Sequence, residues 1–280
     1  MKRSIFFLAV LSGICFSSGA QVLSPDTPND GVYKKDAIRE RQPIPYAPLR
    51  EADVMWKKRV WRVIDLREKM NLPLYYPLVE TNGMRSLADL LYNAVMTEGS
   101  PRIFKGGVDD FSEIMTITEL KNFVEKVDTM YVPDLDNPDN PPVMKVVPRK
   151  FEPSRVKKIW VKEEWFFDKQ RSVLDCRILG ICPMYENEDK EKGDTPLFWI
   201  YFPEARPLLA KYDVFNRFNP SERRSFDDIF WKRQFSSYIT KEENVYDRVI
   251  GDYAKGMDAL LESERIKQEI VNFEHDLWEF

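Results

Sequence analysis

The sequence predicts an α+β protein with N-terminal helices, a small antiparallel β-sheet in the middle and a long helical C-terminal region. Three observations support that class. Between residues 156 and 202, three apolar runs rich in aromatic and β-branched residues are divided by charged turns, as in an antiparallel meander. On both sides of that block, apolar residues recur at three- and four-residue spacing. No period of 20–50 residues repeats, which argues against a solenoid.

The chain opens with an export signal. Lys2 and Arg3 form a positive start and Ile5 to Phe16 an apolar stretch, followed by Ser18-Gly19-Ala20 with small residues at the −3 and −1 positions. Cleavage is expected between Ala20 and Gln21. Ile14 is too bulky to precede a lipid-bearing cysteine at Cys15, so no lipid is expected on the mature chain. Residues 21–50 hold five prolines and little apolar periodicity, which reads as an extended arm, mobile or lying on another subunit.

From Glu51 the spacing of Trp56, Val60, Val63 or Ile64 and Met70 predicts a helix that Pro73 closes. A second helix is expected from Leu87 to Met96, capped by Ser86 with Asp89 at the capping-box position. A weaker third spans about 118–127, completing a helical part over 51–130. Residues 131–154 carry six prolines and read as a linker or long loop.

Next come VKKIWVKEEWFF, RSVLDCRILGICPMY and PLFWIYF, three strands joined by DKQR and the charged ENEDKEKGD. The last third returns to helix. One or two turns are expected at 205–211 and a helix at 225–238 with Phe226, Ile229, Phe230 and Phe235 inward. A final long segment follows, where Tyr246, Ile250, Tyr253, Met257 and Leu260, then Ile266, Ile270, Phe273 and Leu277, keep a 4-3-4-3 rhythm with a break near Ser263. Residues 155–280 are expected to pack with 51–130 as one domain.

Composition narrows the function. Without Lys2 and Arg3 the chain carries 40 basic against 46 acidic side chains, which argues against nucleic acid as a partner. The 13% aromatic content excludes general disorder. No later window approaches a membrane span, so membrane association would come through a partner. Cys176 and Cys182 can pair in an oxidising compartment, although on one extended strand they would stand about 20 Å apart unless the chain reverses at Gly180.

Chemistry is sparse. The single histidine, His275, rules out His-pair metal sites. Gly106-Gly107 fits neither a phosphate loop nor a dinucleotide turn. Glu163-Glu164 and Asp227-Asp228 are the candidate acid pairs for a hydrolase, each better read as a solvated face. Asp134, Asp136 and Asp139 lack EF-hand spacing for calcium. No catalytic, cofactor or metal residue is assigned. Seven tryptophans stand out, and Trp56, Trp61, Trp231 and Trp278 are candidate interface anchors. A carbohydrate- or peptide-binding module using exposed Trp is the alternative to an assembly subunit.

Two blocks, VWRVIDLREKMNLPLYYP (residues 60–77) and ENVYDRVIGDYAKGMDALLESERIKQEIVNFEHDLWEF (residues 243–280), resemble the gliding-motility protein N family (GldN, PorN). More loosely, the resemblance runs through FWIYFPEARPLLAKYDVFN and FDDIFWKRQFSSYITKEENVY. It implies a periplasmic component of the type IX secretion system that forms a hetero-oligomeric ring beneath the outer membrane. The implied partners are a lipoprotein of the GldK/PorK type, which supplies the anchor, and the periplasmic part of a GldM/PorM-type motor protein. It supplies no catalytic motif.

Overall fold

The computed structural model describes residues 40–277 apart from 82, 125–126, 133–142, 149, 188–192, 217–218 and 220, and describes 127–148 by backbone alone. The signal segment with Ala20 and Gln21, most of the arm, the Asp134–Asp139 loop and Trp278 lie outside the described residues.

A seven-stranded sheet organises the body. Its strands are β1 (Val54–Asp65), β2 (Ile103–Lys105), β5 (Val156–Asp168), β6 (Val173–Glu186), β7 (Asp194–Pro196), β8 (Phe198–Tyr201) and β9 (Tyr238–Glu242). Their order is β2-β8-β6-β5-β1-β9, with β7 alongside β6 and every pairing antiparallel. The expected meander is present as β5, β6 and β8. A separate hairpin pairs β3 (Val127–Val132) with β4 (Val143–Pro148).

β1 corrects the helix expected from Glu51. Residues four apart share a face in a helix and in a strand alike, so Trp56, Val60 and Ile64 could not discriminate between them. The β-branched and aromatic content of VMWKKRVWRVID tips the balance toward a twelve-residue strand, held between β5 and β9. The linker expected over 131–154 is corrected in part as well. Pro133, Pro138, Pro141 and Pro142 fall in sequence between β3 and β4, and Pro148 takes the last position of β4, so only the end of the ladder lacks a donor.

The helices are α1 (Leu72–Tyr75), α2 (Leu87–Glu98), α3 (Ile117–Val124), α4 (Phe202–Ala210), α5 (Phe226–Trp231), α6 (Ile250–Tyr253) and α7 (Met257–Asp276). Ser86 caps α2 as expected, its hydroxyl accepting the Asp89 N–H at 3.2 Å; the Asp89 carboxylate instead accepts from Asn93. The helix expected over 225–238 stops at Trp231. Arg233 turns to φ 52°, Phe235 tucks into the core from a loop, and Tyr238 opens β9.

The long helical C-terminal region reduces to one helix of 20 residues, α7, preceded by the single turn α6. Its break falls at Gly256 (φ 59°), a backbone state that suits glycine, and not near Ser263. Ser263 lies inside α7, where its hydroxyl accepts the Ile239 N–H of edge strand β9 at 2.9 Å.

Strand alternation assigns the core to faces. Ile64, Ile159, Val161, Ile178 and Ile181 meet α2, α4 and α5, while Val60 and Ile239 meet α7 through Ile266 and Ile270. The opposite face carries Trp61, Phe104, Cys182, Met184 and Trp199, with Phe111 from the 106–115 loop over them. A Cβ at Gly180 would stand 2.5 Å from the Phe111 ring, so glycine is what admits this loop. Between Lys162↔Gly180 and Glu163↔Ile178 the register skips Leu179, a bulge that reverses the alternation of β6. Cys176 and Cys182 therefore face opposite sides of the sheet as free thiols, so the pairing the sequence left open is not formed.

Candidate functional site

Three places are set apart by charge or exposure. The first lies in the sheet beside α5. Glu163 is 0% exposed and accepts from Arg62 Nε at 3.0 Å, Arg233 Nη2 at 2.9 Å and Trp165 Nε1 at 3.3 Å. Arg233 Nη1 also donates to the Cys176 sulfur at 3.2 Å. Burial, and then the Glu163 charge, push the Cys176 thiol well above its ordinary range. A thiol held protonated is a poor nucleophile. Burial alone would lower the Arg233 guanidinium, but the charge of Glu163 and the hydrogen bonds to it outweigh burial and the net direction is up.

The second place is the seat of residues 41–50. This end of the expected arm lies on its own chain: Arg41 pairs with Asp228 at 2.8 Å, and Ala47 O accepts from Arg177 Nη2 at 2.6 Å. The Tyr46 ring takes Arg206 at 4.3 Å and Arg177 at 5.0 Å, with Trp231 at 5.4 Å. Arg206 is itself fixed by two hydrogen bonds to the buried Asp227, at 2.8 and 3.1 Å.

The third place is the surface of α6, the chain before it and the first half of α7. Tyr246 is 75% exposed, Met257 70% and Leu261 62%, with Tyr253 and Leu260 beside them in sequence and also exposed. Monomeric proteins rarely expose large contiguous apolar patches unless the patch binds something. The 4-3-4-3 spacing picked out Tyr246, Tyr253, Met257 and Leu260, though not Leu261, and did not tell which of them are exposed.

The structure separates the candidate acid pairs. Glu163 turns into the buried network, while Glu164 points to the opposite face and pairs with Arg59 at 3.0 Å. Asp227 holds Arg206, and Asp228 completes a capping box with Ser225. Neither pair brings two carboxylates to one cavity. His275 sits exposed in the last turn of α7. Among the described residues, no three His, Cys, Asp or Glu side chains group as metal ligands, and no helix is long and apolar enough to cross a membrane.

The candidate anchors divide. Trp56 is half-buried and stacks on Phe273 at 4.2 Å. Trp61 is buried, donates to the Asp109 carboxylate at 2.5 Å and lies under Lys241 at 4.5 Å. Trp231 stays 41% exposed, although Tyr46 of the same chain already packs on it. The Arg62–Glu163–Arg233 network was missed by sequence reasoning, because its members are over 100 and 70 residues apart.

Fold and surface together define an α+β protein that exposes apolar side chains along α6 and the first half of α7 and ties its candidate acid pairs into structural contacts. The family model for the gliding motility associated protein GldN matches residues 49–279, and the chain belongs to that family. No curated protein matches it.

Proposed function

We propose that this chain is a non-enzymatic structural subunit of a ring in the periplasm, part of the type IX secretion and gliding-motility machinery. In this reading a lipoprotein of the GldK/PorK type completes the ring and holds it at the outer membrane. The periplasmic part of a GldM/PorM-type motor protein contacts it and transmits load. The chain's task is mechanical, and no bond is made or broken.

Membership of the gliding-motility family supports this reading, and the apolar face of Tyr246, Tyr253, Met257, Leu260 and Leu261 carries it. Such a face stabilises a complex by removing apolar surface from water, roughly 25 cal/mol per Å² before the costs of association. The lipoprotein is its assigned occupant.

Affinity capture of the tagged chain from gently solubilised envelopes, followed by mass spectrometry and sizing, tests this function. A very large complex dominated by one lipoprotein is the expected result. A monomer with no stoichiometric partner would refute it.

A further inference from the structure

Beside the buried network, α7 and the 233–237 turn enclose a cleft of about 450 Å³. Arg62 lines it and is only 7% exposed. Its Nε is committed to Glu163, but its two terminal nitrogens make no hydrogen bond among the described residues. Arg233, also in the wall, is committed to the same carboxylate. Two guanidinium groups thus share one buried carboxylate, which leaves an excess of one positive charge beside the cleft. Lys267 and Glu274 also line the cleft; Lys267 is paired with Glu264, and among the described residues the ion pairs of Arg62 and Arg233 are with Glu163 and not Glu274.

We infer that this cleft binds an aliphatic carboxylate, seated on the terminal nitrogens of Arg62. A guanidinium presents parallel N–H groups that match the two oxygens of a carboxylate. Glu163, held behind the lining by Arg62 Nε at 3.0 Å, disfavours a dianion such as phosphate, because its own charge lies next to the seat. Leu174, Phe235, Ile270 and Val271 give the walls an apolar character that suits a hydrocarbon stem. A free short-chain acid and an acidic side chain of another protein share this chemistry. The inference stands apart from the assembly proposal and does not depend on it.

The test uses the full mature chain with three probes: hexanoate, a capped glutamate and 1-hexanol. Trp165 lines the cleft and donates to Glu163, so its fluorescence reports occupancy, and the unfolding midpoint reports binding through linkage. A saturable response to a carboxylate is expected, at least tenfold weaker in Arg62→Met and none with 1-hexanol. Tighter hexanoate assigns the site to a free acid, and tighter capped glutamate assigns it to a protein side chain. Val271→Glu, at a half-exposed position, places a competing carboxylate at the mouth without touching the network, and should also abolish the response. No saturable response to either carboxylate, an equal response to 1-hexanol, or undiminished binding in Val271→Glu would overturn the inference.

Discussion

The two halves of the terminal apolar rhythm obey one spacing rule and meet opposite fates. Before Ser263, Tyr246, Tyr253, Met257 and Leu260 stand in solvent while Ile250 between them is buried; after it, Ile266 and Ile270 are buried and Phe273 stacks on Trp56. What differs is the support beneath them. The second half runs over β1 and β9, whereas in the first half Ile250 packs with Val60 and Ile239 and the other members of the rhythm do not. A rhythm thus records that a face is apolar, but not whether its partner lies within the same chain.

That contrast breaks most visibly in the buried half. Ile266→Ala should cost about 3 kcal/mol in urea unfolding, since it combines lost burial with a cavity. A cost under about 1 kcal/mol would mean that α7 is not seated on the sheet. Ser263→Ala removes the acceptor of the Ile239 N–H and should cost about 1–2 kcal/mol. Slower amide exchange at Ile239 in that variant would speak against the contact.

A pH measurement sharpens the comparison by loading the sheet away from both halves. In the β5–β6 turn, the Asp168 carboxylate accepts from Arg171 and from the Gln170 and Arg171 N–H groups, which hold it below the usual carboxylate range. A depressed folded-state value stabilises above the unfolded value of about 3.9 and is lost as pH falls through the depressed one. Asp168→Asn should therefore be less stable than wild type at pH 7, and the difference should vanish in strong acid. A difference independent of pH would remove the ionic explanation. The smallest effect belongs to the exposed half, where Leu260→Ala should change stability by no more than about 0.5 kcal/mol.

Where local chemistry decides structure, the sequence could be read. The β5–β8 meander follows from aromatic and β-branched runs cut by charged turns, and the start of α2 from Ser86. β1 was missed because Trp56, Val60 and Ile64 satisfy both periods. β9 was missed because YITKE is short and owes its conformation to pairing with β1. For the site, the apolar rhythm was visible but its exposure was not, because exposure depends on which of its members lie over β1 and β9. The Arg62–Glu163–Arg233 network left no local signal, since only the sheet and the Arg233 turn bring those charges together.

The most direct measurement compares the assembly recovered by the tagged wild-type chain with that recovered by a Leu260→Asp, Leu261→Asp variant, after circular dichroism and urea unfolding establish equal folding. The assembly reading predicts that wild type is captured in a large complex and that the equally stable variant is recovered free of it. Retention of the variant in the same complex would contradict the claim that this helical face joins the chain to its partner.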